Sequence, residues 1–162
     1  MSETIWNGLL VATIVGTGVV TGVFFAFSTF VMPALARLPA SQGAAAMQSI
    51  NVLAVTPLFM TALFGTALLC AVVAGETMLH WNGPGAAWVV AGAMNYLLGI
   101  ILVTIVGNVP LNNALAGVDA MSDAGIELWK RYQPSWNAWN HVRTVSGIMS
   151  TGSLIVGLLR AV

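Results

Sequence analysis

The chain has 162 residues, 58% of them hydrophobic and only 6% charged, whereas a soluble domain carries roughly 25% charged residues, so a surface built mainly for water is excluded. Its five basic and five acidic residues cancel, which leaves no basic field for a nucleic-acid backbone, and at this length one domain over residues 1–162 is expected. Cys70 is the only cysteine, so an intrachain disulfide, a thiolate cluster and a Cys-x-x-Cys pair are excluded, and its setting LLCAVV reads as a small lipid- or core-facing hydrophobe.

A helix that spans a bilayer needs about 20 mostly apolar residues. Four segments meet that demand, over residues 5–35, 52–74, 86–107 and 140–159. They lack the period-two alternation of membrane barrel strands, so helices are expected. The leading MSETIWNGLL carries Glu3 and no basic start, and the apolar run is too long for a signal-peptide core, so it reads as a retained first span. At about 1.5 Å per residue that span outruns a hydrocarbon core of about 30 Å, and it must tilt or project at the end holding Ser28, Met32 and Pro33. Thr13, Thr17, Thr21 and Ser28 fall within about 80° of one another on it. Such a line can wet a cavity, or each hydroxyl can bond its own i−4 carbonyl; the second reading is favoured for the deeper threonines. Gly18, Gly22 and Ala26 form a small-residue ridge of the kind that lets helices approach closely, within the chain or between copies in a homo-oligomer.

In the second span Thr56-Pro57 predicts a kink, because proline withholds a backbone donor. The polar stretch SQGAAAMQSIN before it can continue as helix above the membrane, placing Gln48 and Asn51 just outside. Residues 80–85 hold the turn formers Asn82, Gly83, Pro84 and Gly85. The connection over residues 108–139 is long and carries Asp119, Asp123, Glu127, Lys130 and Arg131; long structureless loops are uncommon, so one or two short amphipathic helices are expected over the bundle mouth. Gly147, Thr151 and Gly157 supply close packing on the fourth span. The expected fold is all-α: an integral membrane four-helix bundle with an extended first helix and a helical cytoplasmic loop between spans three and four. Arg37, Lys130, Arg131 and Arg143 on one side against Arg160 on the other place both termini outside the cytoplasm by the positive-inside rule, in a multi-pass protein of the cell membrane.

Polar side chains crowd the end that carries the long connection. They are Gln48 and Asn51, then Asn108, Asn112 and Asn113, then Asn137, Asn140, His141, Arg143 and Thr144. Polar groups at membrane depth are costly and mark function. Alternatives stand beside each: Trp129, Tyr132, Trp136 and Trp139 serve either as an interfacial belt or as pocket walls, Arg143 either as a phosphate-seeking snorkel or as a site cation, and Asn108 either as a helix cap or as a ligand donor. At about 100° per residue, Trp136, Asn140, Arg143 and Gly147 share a face. His141 falls with Asn137, Thr144 and Ile148 instead, about 160° from Arg143, so His141 and Arg143 cannot both face one point of a regular helix. Metals are not expected: His80, the other histidine, lies in the opposite loop, no span holds an acid to join His141, and catalytic zinc takes three protein ligands. Bis-histidine haem within one protomer is excluded likewise. Nucleotide-binding glycine motifs and nucleophile elbows are absent.

FFAFSTFVMPAL in span one, MQSIN before span two, GNVPLNNAL after span three and WNAWNHVRT opening span four resemble the anthrone oxygenase family of small four-helix membrane proteins. The last two runs are the specific ones. The resemblance implies a cofactor-independent oxygenase that converts a flat aromatic, anthrone-like polyketide to a quinone with O2 as co-substrate. It supports a site with His141 as base, Arg143 as charge stabiliser and Asn140 as an orienting amide. Substrate-binding residues would then be Asn108, Asn112, Gln48, Asn51, Ser28, Trp136 and Trp139. The expected partners are the lipid bilayer and a hydrophobic aromatic small molecule. A second class, a non-enzymatic accessory module packing against a larger membrane complex, suits the small-residue ridge and short loops. A third, a carrier or channel, conflicts with spans that lack the charges marking ion paths.

Overall fold

The computed structural model describes residues 2–81 and 83–161; Met1, Val162 and the turn former Asn82 lie outside the described residues. Five helices and no strand form among these: α1 (Glu3–Leu35), α2 (Ala40–Ala54), α3 (Pro57–Leu79), α4 (Ala86–Ala116) and α5 (Asp123–Ala161). All but α2 are long and apolar enough to cross a membrane. They stand in a ring in which α1 neighbours α3 and α5, and α4 closes the gap between those two, while α2 lies across the end formed by α4 and α5.

Two expectations about connections are corrected. Residues 108–139 are mostly helical as expected, but not as separate short helices over the bundle mouth: α4 runs through residue 116, α5 starts at residue 123, and only residues 117–122 join them. Proline is what makes the extension of α4 look unfavourable in sequence. Pro110 withholds the N–H that the Val106 carbonyl would receive in α register. The helix absorbs this by widening to π-type turns over Leu97–Leu102 and Thr104–Asn108 and then resuming α geometry. A π-type segment over Phe27–Val31 precedes Pro33 in α1 in the same way, and α5 carries Pro134 inside its helix. The kink expected inside span two is instead a break: α2 ends at Ala54, and Pro57 opens α3 in the first turn, where its missing donor costs nothing.

Small residues set the spacing between spans. A methyl on Gly16 would strike Thr66 of α3, on Gly99 Ser146 and on Gly147 Thr21, and one on Gly157 would approach Val89. The Thr17–Thr151 hydroxyl contact at 3.0 Å and the Ser28–Thr144 contact at 2.9 Å show α1 and α5 running antiparallel. Gly147 and Gly157 therefore pack as expected, whereas Gly18 and Gly22 meet nothing within the chain and their ridge faces outward. Thr13 donates to the Leu9 carbonyl at 2.7 Å and Thr17 to the Ile14 carbonyl at 2.9 Å, so these two hydroxyls bond their own helix, whereas the buried Thr21 hydroxyl has no partner among the described residues.

The interior divides in two. Leu10, Val20, Leu63, Cys70, Val73, Tyr96, Ile100 and Leu154 fill the half nearer the 80–85 turn. Met32, Met47, Leu115, Trp129, Tyr132 and Trp136 fill the other, where Trp129 stacks on Tyr132 at 5.5 Å and Tyr132 on Trp136 at 6.3 Å. These three rings are buried and form core, not an interfacial belt. Gln48 fastens α2 over them by donating to the Leu115 and Val118 carbonyls at 2.8 and 2.9 Å.

Candidate functional site

Between the two packed halves lies a cavity of about 470 Å³ whose walls come from all five helices. α1 contributes Phe24 and Phe27 beside its register change, α2 Met47, Ile50 and Asn51, α3 Phe59 and Met60, α4 Thr104 and Asn112, and α5 Trp136 and Arg143. Arg143 is the only charged residue on the lining, which holds no Asp, Glu, His or Lys.

Arg143 is 4% exposed. Its guanidinium lies over the Phe24 ring at 4.2 Å and the Trp136 ring at 5.1 Å, in the geometry that lets ring faces attract a cation. One terminal nitrogen donates to Asn140 Oδ1 at 2.8 Å and the other to Thr104 Oγ1 at 3.3 Å, while Nε finds no acceptor. Asn140, fully buried, is itself held by donating through Nδ2 to the Phe24 carbonyl at 2.9 Å and to Ser28 Oγ at 2.7 Å. Thr144 closes this network by donating to the Asn140 carbonyl at 2.9 Å. The guanidinium is thus positioned on two helices by neutral groups and has no carboxylate partner.

The amides of α4 mostly hold structure. Asn108 donates to the Trp136 carbonyl at 3.1 Å and leaves Oδ1 without a donor. Asn112 Oδ1 accepts from Tyr132 and from Trp136 Nε1, both at 2.8 Å, which locks the stacked rings. Asn51 lines the cavity with its Nδ2 unpaired.

Of the residues singled out in sequence, Arg143, Asn140, Ser28, Trp136, Asn112 and Asn51 therefore converge on or directly behind the cavity. Gln48 works as a clasp, and Asn108 braces α5. His141 and Trp139 do not arrive: both are exposed on the outer face of α5, and neither lines the cavity. The helical offset between His141 and Arg143 holds because α5 is α-helical through both, so the imidazole is not placed as a base for this cavity. Phe24, Phe27, Phe59 and Thr104 were not singled out. The signal for two of them was present, since Phe24, Phe27 and Ser28 sit at i, i+3 and i+4 on the face that carries Thr21.

The rim residues Leu53, Val55, Phe64 and Ile105 are exposed apolar side chains. α3 and α4 pack mainly along Ala86–Tyr96 and separate beyond it, so the cavity opens sideways between them. A second cavity of about 520 Å³ lies at the other end, lined by Glu3, Glu76, His80 and Arg160 among others. There Glu76 and His80 approach to 3.6 Å with the His80 side chain largely exposed and the Glu76 side chain partly so, which leaves that site wet and its charges screened. Among the described residues no three His, Cys, Asp or Glu side chains gather where they could hold a metal ion.

Comparison with known proteins adds one positive finding. A family model described as anthrone oxygenase matches residues 56–153, which run from the start of α3 through most of α5. No curated protein and no solved structure matches the chain.

Proposed function

The chain belongs to the anthrone oxygenase family, and from that premise we propose that its lateral cavity binds a flat aromatic substrate of the anthrone type and oxidises it with O2 to a quinone. The observation that carries this reading is a cavity walled by Phe24, Phe27, Phe59 and Trp136 with a single buried guanidinium, Arg143, on its lining. The rings provide faces on which a planar polycycle stacks. Arg143, set by Asn140 and Thr104, steadies negative charge where it develops, and the apolar walls keep water away from it.

The chemistry balances without a further reductant. Loss of one methylene proton gives an aromatic enolate; its carbon bonds to O2 and yields a peroxide anion, which takes up a proton. Loss of the second proton from the same carbon with cleavage of the O–O bond releases water and leaves the carbonyl. One O2 is consumed for each quinone and water formed.

Purified protein in lipid vesicles, supplied with a simple anthrone, should form quinone with matching O2 uptake. Ala54→Trp, which fills the cavity from α2, should remove at least about nine-tenths of that rate, because an indole occupies the volume the rings need. His141→Ala and His80→Ala should leave the rate within about twofold, as expected for surface substitutions away from the chemistry. Loss of turnover in a folded His141→Ala protein would return the imidazole to the mechanism.

We further propose that the four apolar helices cross the cell membrane with Arg37, Lys130 and Arg131 in the cytoplasm and Arg160 outside. Arg143 is buried and so does not vote, while the other four are exposed. A reporter inserted within residues 117–122 should read as cytoplasmic and one at residues 83–85 as external; the reverse pattern would invert the orientation.

A further inference from the structure

A guanidinium buried in an apolar cavity without a carboxylate is an expensive arrangement. Every element packed around Arg143 presents neutral groups to it. α1 offers Phe24 and Ser28, α2 offers Asn51, α4 offers Thr104 and Asn112, and α5 offers Trp136, Asn140 and the phenol of Tyr132, which is engaged as a donor to Asn112. The acids lie elsewhere: Asp119, Asp123 and Glu127 are exposed around the 117–122 turn, and Glu3 and Glu76 line the cavity at the far end. Arg143 Nε and Asn51 Nδ2 are buried donors with no acceptor, both on residues that line the cavity.

From this we infer that the cavity takes its ligand as an aryl oxyanion, a planar phenolate or enolate, which serves as the missing counterion of Arg143, and that no side chain of the protein removes the proton. The inference deepens the oxygenase reading and rests on its placement of the ligand in this cavity. The unpaired donors ask for an acceptor oxygen and the cation asks for negative charge, while the ring walls ask for a flat aromatic frame in place of an alkyl carboxylate. The lining supplies no Asp, Glu or His to act as base. Ionisation therefore breaks the ligand's own acidic bond, the electron pair stays on the ligand and the proton passes to the water outside the cavity. The guanidinium favours this by stabilising the anion and not the neutral form. Substrates would then be selected by their acidity as well as by their shape, and a hydroxylated quinone product would bind as a competing anion.

The test uses full-length protein in phosphatidylcholine vesicles and two probes that cannot be oxygenated, 2-hydroxyanthraquinone and 2-methoxyanthraquinone, with dodecanoate as an aliphatic anion. At a pH where the free phenol is neutral, binding should shift the visible band of 2-hydroxyanthraquinone to that of its phenolate. The methyl ether and dodecanoate should each bind at least about tenfold more weakly, the scale of a lost charge-assisted hydrogen bond or of lost ring contacts. Arg143→Met should abolish the colour shift, and Arg143→Lys should retain part of it. Binding of the phenol in its neutral form, or equal affinity for the methyl ether or dodecanoate, would overturn the inference. Because the probes do not react, anthrone turnover with a neutrally bound probe would leave the oxygenase reading standing without this inference. A phenolate shift in a protein that turns over no anthrone would do the reverse.

Discussion

Replacing Arg143 by methionine is expected to lower anthrone turnover by about 10²–10³-fold, the usual cost of removing one preorganised donor to a developing anion, while leaving the protein as stable as before. The second half of this expectation separates a functional cation from a structural one. In the resting protein Arg143 is 4% exposed, has an unpaired Nε and faces no carboxylate, so a neutral side chain of similar length removes a desolvation penalty of several kcal/mol. Against this stands the Asn140 Oδ1 acceptor, which loses its 2.8 Å partner at about 1–3 kcal/mol. The Thr104 bond and the Phe24 and Trp136 ring contacts are lost with it, so the opposing terms are of similar size and stability should hold. Arg143→Lys keeps the charge but loses the planar fork that reaches Asn140 and Thr104 together, so it should recover only part of the rate. Rates in vesicles and thermal unfolding in detergent measure both quantities. A fall in stability comparable to a core truncation, roughly 2–5 kcal/mol, would mean that the guanidinium holds the bundle together and would undercut its role at the site.

Gly92→Ala is expected to have the opposite signature, with stability lost first and activity lost through it. A methyl at residue 92 would come within 2.8 Å of Leu154 Cγ, 2.9 Å of the Ser150 carbonyl oxygen and 3.0 Å of the Leu154 nitrogen. Two of those atoms are backbone and cannot turn aside, so α4 and α5 must separate, at about 1–3 kcal/mol for overpacking. The same α4–α5 seam carries the Asn108–Trp136 and Thr104–Arg143 contacts, so the guanidinium would shift with it and turnover should fall several-fold. Gly18→Ala provides the contrast. Nothing lies within 4 Å of a methyl there, and alanine is the better helix former by about 1 kcal/mol, so stability should hold or rise slightly in the monomer. Equal melting temperatures for Gly92→Ala and the unaltered protein would show that α4 and α5 do not pack as closely as the structure has them.

Hydropathy alone determined that four helices are long and apolar enough to cross a membrane, because that property is carried by each segment in isolation and depends on no partner. Helical phase determined, equally locally, that Trp136, Asn140, Arg143 and Gly147 turn one way, all buried, and His141 the other, exposed; Thr144, grouped by phase with His141, is buried by its contact with α1. The tertiary structure decided matters that depend on neighbours. Pro110 and the charged residues 119–131 read locally as a connection of short separate helices, yet wide turns before Pro110 and burial of Trp129, Tyr132 and Trp136 under α2 keep both long helices continuous, since packing a helix face outweighs local propensity. The ridge of Gly18 and Gly22 was as legible as Gly147, but which glycines meet a partner is set by the rotation of each helix in the ring, and α1 turns Thr17, Thr21 and Phe24 inward instead. The site depends on neighbours in the same way. Phe24, Phe59, Thr104 and Arg143 come from four helices, and only their assembly shows that the buried Arg143 guanidinium has aromatic faces and neutral amides around it and, among the described residues, no acid.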